Sequence, residues 1–131
     1  MNSLVIFIVL FVTFVFFLRW RISASEKKMQ SMPLPEQFDT ARLHPQGSLL
    51  FFHAPHCGPC RRMLPTIQQL AEQHPGQVII INLADDIDLA RAFRVTGTPT
   101  TLWIKNQTIH KAMLGLQSAD RLQALFAQTD A

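Results

Sequence analysis

Cysteine is scarce in this chain: it has two in 131 residues, Cys57 and Cys60. A secreted disulfide scaffold needs more of them, scattered along the sequence. A zinc ribbon needs a second Cys-x-x-Cys, which is missing, and His74 and His110 stand at no recognised finger spacing. No metal site is therefore expected. Net charge is also small once it is located. Of the formal +3, all comes from the first 34 residues, where Arg19, Arg21, Lys27 and Lys28 face only Glu26. From residue 35 on, eight Lys/Arg are matched by eight Asp/Glu, so the basic balance carries no nucleic-acid signal. Internal repeats and low-complexity tracts are absent.

Charge is wholly missing from residues 4–18, LVIFIVLFVTFVFFL, which hold half of the ten phenylalanines. Fifteen residues rise about 22 Å as a helix, and flanking residues up to Ile22 make up the span of a roughly 30 Å hydrocarbon core. Arg19 can snorkel, and Trp20 suits the interfacial aromatic belt. A cleaved signal peptide is the rival reading. It lacks a charged leading region, and Arg19 and Arg21 fall where a small-residue cleavage site should be approached, with Ser23-Ala24-Ser25 a weak alternative. Residues 1–22 are thus expected to be a single membrane anchor. The positive-inside rule then puts the downstream domain in the cytoplasm, the extracytoplasmic or periplasmic side being the alternative. Residues 23–37, without apolar periodicity and with Pro33 and Pro35, are expected to be a linker.

The remainder, residues 38–131, is long enough for one compact domain. Residues 48–53 (SLLFFH) and 77–82 (QVIIIN) are short apolar runs suited to strands buried on both faces. Between them Met63, Leu64, Ile67, Leu70 and Ala71 recur at helical spacing, and Pro75-Gly76 ends that helix. Asp85 and Asp86 open a short helix expected to turn Ile87, Leu89, Ala90 and Phe93 inward. Residues 100–104 and 108–114 read as a hairpin about Lys105-Asn106-Gln107. Ser118 caps a last helix with Leu122, Leu125 and Phe126 on one stripe. The order β-α-β-α-β-β-α predicts an α/β fold with a mixed central sheet flanked by helices.

Cys57-Gly58-Pro59-Cys60 stands after a buried strand and at a helix start. There, unpaired backbone N–H groups and the helix dipole favour a Cys57 thiolate. The i, i+3 spacing brings the second sulfur beside the first. Pro59 suits the first turn, where its missing N–H costs little. Position therefore makes Cys57 the exposed nucleophile and Cys60 the buried resolving thiol, with Gly58 and Pro59 as the active-site turn.

Over roughly residues 38–126 the sequence resembles the thioredoxin family. APHCGPC resembles that family's active-site segment, and Pro65 its helix-kinking proline. VTGTPT at residues 95–100 resembles its second signature, while Lys105-Asn106 and Gly115 match its hairpin turn and late glycine. The resemblance implies a thioredoxin-like fold and protein-disulfide oxidoreductase activity through Cys57 and Cys60. It implies a cis-proline at Pro99, with Thr98 and Pro99 binding an extended substrate segment. It also implies protein thiol or disulfide substrates, a redox partner that regenerates the dithiol, and no organic cofactor. Tethered members commonly face the extracytoplasmic side, against the charge rule. The sequence departs from the family where a buried aspartate usually stands, which is Phe51 here, and at a nearby lysine, which is Ile80. His56 and His53 replace usual tryptophans, and the family's first strand is not evident before Phe38. Losing the carboxylate should slow resolution by Cys60. His56 when protonated, with Arg61 and Arg62, should tune the acidity of Cys57 toward the thiolate. The expected function is a membrane-tethered reductase that is less reducing than ordinary thioredoxin. The alternative is a redox-sensing or partner-binding module without turnover, and a third reading is metallochaperone activity.

Overall fold

The apolar run folds as a helix that outlasts the run. In the computed structural model, which describes residues 2–128, α1 spans Ser3–Met29. Its most apolar stretch has a mean hydropathy of 2.5 and is not buried anywhere in the protein. Apolar side chains point out on every side, Leu4, Phe7 and Phe16 each being more than 70% exposed. A helix apolar all round has no stable place in water. At 27 residues it is long enough to cross a bilayer.

Residues 23–29, expected in a linker, continue this helix. Lys27 and Lys28 sit in its last turn, where cations complement the carbonyl end of the dipole. Met29 is buried in the domain core at 1% exposure. Beyond Met29 the chain turns through Ser31 (φ 64°) and runs beside residues 108–109. The Ser31 N–H donates to the Ile109 carbonyl, and the Ile109 N–H donates to the Met32 carbonyl. A lone bridge joins Pro33 to Thr108. Proline has no N–H to continue a ladder, so this segment never becomes a full strand.

The strands are β1 (Ser48–His53), β2 (Val78–Asn82), β3 (Thr100–Lys105) and β4 (Thr108–Leu114), in the spatial order β2-β1-β3-β4. β1 and β2 are parallel, whereas β1–β3 and β3–β4 are antiparallel, which makes the mixed sheet the sequence predicts. The helices are α2 (Gly58–Gln73), α3 (Ile87–Ala92) and α4 (Ala119–Ala127). Alternation along β1 divides the core into two layers. Leu50 and Phe52 pack with Met29, Phe38, Phe93 and the α3 side chains. Leu49 and Phe51 pack with Met63 and Ile67 of α2 and with Leu122, Leu125 and Phe126 of α4. Asp86 and Ser118 cap α3 and α4 by accepting from Leu89 N and Arg121 N. Ile87, expected inward, is 46% exposed. It is the first residue of a helix of six, which buries only Leu89 and Ala90.

Candidate active site

Residues 54–57 carry the chain from β1 into α2. His56 takes a left-handed conformation (φ 63°), which a non-glycine residue adopts rarely, and the turn delivers Cys57 as the N-cap of α2. The Cys57 sulfur accepts from the Cys60 N–H at 3.3 Å, and the Cys57 carbonyl accepts from the Arg61 N–H. The two cysteines are joined as a disulfide, with Cα atoms 5.2 Å apart. Their environments differ. Cys57 is half-buried, and Cys60 is 3% exposed on the inner face of α2 with Met63, Ile67 and Leu70. Gly58 and Pro59 are exposed and open the helix. Pro65 lies inside α2, where its missing N–H leaves the Arg61 carbonyl without the usual partner.

The segment before β3 stands beside this loop. Phe52 at the end of β1 pairs with Thr100, and Thr100 pairs with Leu114. Pro99 therefore sits at the end of the sheet from which the cysteine loop emerges. The Thr98–Pro99 bond is cis. Pro99 is buried, and its carbonyl accepts from the Gly115 N–H at 2.8 Å. Within the described residues, neither the N–H nor the C=O of Thr98 is paired.

The two positions that depart from the thioredoxin pattern meet directly. Phe51 and Ile80 are register partners across β1 and β2. Phe51 is fully buried, and Ile80 is 38% exposed. His53 is stacked on Phe51, with ring centroids 5.8 Å apart, which makes it a packing residue. Opposite Phe51 on β3, the Thr101 hydroxyl is buried without a partner. Among the described residues the buried polar ones are Ser48, Gln77, Thr100 and Thr101, and none of these carries an acid or base for Cys60. His56, Arg61 and Arg62 are all exposed next to the cysteines. The one ion pair among the described residues is Arg91 with Asp88, so the Arg61 and Arg62 charges are unmatched.

Sequence reasoning missed Glu26. Its carboxylate accepts from the Leu114 N–H at 2.9 Å across 88 positions of chain, tying α1 to the end of β4. The only signal was a lone acid among four cations.

A cysteine pair at a helix start, beside a cis-proline on a mixed sheet, defines a dithiol–disulfide redox domain. Residues 30–128 match the Thioredoxin family, and the chain belongs to it. Mitochondrial thioredoxin of Mus musculus is 33% identical over 75 residues, which are 56% of this chain and 45% of that protein. The chain thus spans about half the length of the mitochondrial relatives it matches. Thioredoxin of Alicyclobacillus acidocaldarius is 31% identical over 81 residues, 60% of this chain and 77% of that one. The fold is similar to that of Malassezia sympodialis thioredoxin, with a TM-score of 0.61 at 22% identity over 78% of this chain and 90% of the other.

Proposed function

We propose that the protein is a membrane-tethered thiol–disulfide oxidoreductase that reduces disulfides in protein substrates. The observation that carries this reading is the asymmetry of the pair, with Cys57 half-buried at the helix N-cap and Cys60 enclosed behind it. In the reduced protein the Cys57 thiolate attacks one sulfur of a substrate disulfide, forming a mixed disulfide and releasing the other sulfur as a thiol. The Cys60 sulfur then attacks Cys57, which releases the second substrate thiol and closes the Cys57–Cys60 disulfide. Two electrons pass from the pair to the substrate, and a dithiol partner must return them. The unpaired backbone of Thr98 is suited to hold an extended substrate segment.

The anchor reading rests on the exposed apolar length of α1. The Arg/Lys collar at its domain end favours a cytoplasmic domain by the positive-inside rule. The charges flanking Cys57, His56 when protonated with Arg61 and Arg62, favour its thiolate, and a stabilised thiolate makes a more oxidising pair. The apolar Phe51 also supports a second reading, a redox-sensing module that oxidises once and turns over poorly. Insulin reduction by the full chain in detergent, with a dithiol as donor, separates the two. Repeated turnover is expected; stoichiometric oxidation that then stops would overturn the reductase.

A further inference from the structure

The anchor helix reaches the domain at a definite place. Glu26 bonds to Leu114, which pairs with Thr100, the residue after Pro99. From there the chain runs back along β4, with Ser31 and Met32 beside Ile109 and Pro33 beside Thr108. The chain between Glu26 and Pro33 is thus antiparallel to β4. It enters at the end of the sheet that carries Pro99 and the cysteine loop, and leaves toward the opposite end. The membrane-spanning part of α1 must therefore project beyond the redox end of the domain. Trp20, the interfacial aromatic, lies six residues before Glu26, a rise of about 9 Å along a helix.

A second feature marks the same end as membrane-facing. A groove of about 470 Å³ separates α1 from the loop that leads to Pro99, and Trp20, Arg21, Lys28, Arg94 and Thr96 line it. Its three cations come from both the helix and the domain, and cations at this depth suit a headgroup layer. The joint is not a loose tether. Met29 is buried in the core and Glu26 is bonded to β4, so the domain cannot swing freely about its anchor.

We propose that the Cys57–Cys60 pair is turned toward the bilayer and acts on cysteines lying close to the membrane surface in other integral membrane proteins. The proposal rests on the oxidoreductase and anchor readings above, and it names the substrate class of that same site. Docking fixes which disulfides the pair can meet. A cysteine near the surface is presented at high effective concentration, while one held far above the bilayer faces the wrong end of the domain.

The test uses the full chain, reduced and freed of reductant, in lipid vesicles with bilayer-spanning peptides. Each peptide carries a fluorophore through a disulfide, either about five residues past its span or beyond a helical spacer of about 30 residues, about 45 Å. One turnover transfers two electrons from the cysteine pair to the peptide disulfide and frees the fluorophore thiol. The near peptide should react faster by about tenfold or more. Inserting about 12 Gly/Ser residues between Ile22 and Ser23 keeps the Glu26 and Met29 contacts but frees the orientation. That variant should bring the ratio toward one while reducing insulin as before. Equal rates in the parent protein, a faster far peptide, or insulin reduction without reaction at either peptide would overturn the proposal alone. Inertness toward both peptides and insulin would overturn the oxidoreductase reading itself.

Discussion

Removing the Glu26 carboxylate should open one end of β4 and little else. The bond from the Leu114 N–H to Glu26 is 2.9 Å long and half-buried, and Leu114 is the last residue of β4. A hydrogen bond to a charged group contributes about 1.5–3 kcal/mol when buried, and partial exposure reduces this to about 1–2 kcal/mol because water can replace the lost partner. At about 1.4 kcal/mol per tenfold, Glu26→Ala should speed amide exchange at Leu114 by about 5- to 30-fold. Glu26→Gln keeps a neutral acceptor and should give a smaller increase. The measurement is residue-resolved hydrogen exchange on the full chain in detergent micelles. Amides of Trp103 and Leu102, deeper in the sheet, should hold their rates. An unchanged Leu114 amide in Glu26→Ala would refute the docking bond. A uniform acceleration across β3 and β4 would refute its local character.

Three further outcomes follow from the site and its support. Cys60→Ser should lose turnover and accumulate mixed disulfides through Cys57, seen as adducts on non-reducing gels that a dithiol removes; a variant that still turned over would end the resolving role of Cys60. The potential of the pair should lie above about −270 mV, the thioredoxin value, in a redox titration against glutathione buffers, and a value at or below it would sink the thiolate-tuning reading of His56, Arg61 and Arg62. Gly47 holds φ at +124°, and a Cβ there would run into the Trp103 ring. Gly47→Ala should therefore cost about 2–4 kcal/mol from backbone strain and overpacking in denaturant unfolding, and a loss under about 0.5 kcal/mol would contradict it.

The strands were legible because each is a short apolar run closed by turn residues. β1, β3 and β4 begin and end within a residue of the expected positions. The cysteine pair at a helix start and the cis Thr98–Pro99 bond were legible because each is carried by a short local motif. The joint between α1 and the domain was not. Residues 23–29 show no periodicity because their helix is held by single contacts, Met29 in the core and Glu26 on Leu114. Such contacts leave no pattern in the sequence. The edge segment at Pro33 was invisible for a related reason, since one bridge makes no alternation to read. Ile87 misled because an apolar residue beside Leu89 and Ala90 implies an inner face that a helix of six residues is too short to provide.

The apolar floor and the docked helix α1, read as an anchor in the proposal above, bear on one another. Cys60 lies on the face of α2 that continues into Met63 and Ile67, and those two pack with Phe51. Among the described residues no buried carboxylate stands by Cys60, so in the proposed reaction the proton of its thiol must pass to solvent or to the departing substrate. In the reductase proposed above, resolution without an internal base should be slow, and the mixed disulfide should persist. For a freely diffusing reductase that persistence occupies enzyme unproductively. For a domain fixed over a membrane, with its partner confined to the same surface, the two chains remain close even after the bond breaks. Confinement then speeds the next encounter, while resolution by Cys60 still sets the ceiling on turnover. Phe51 should therefore show as a low kcat, and confinement as a low KM for partners in the same membrane.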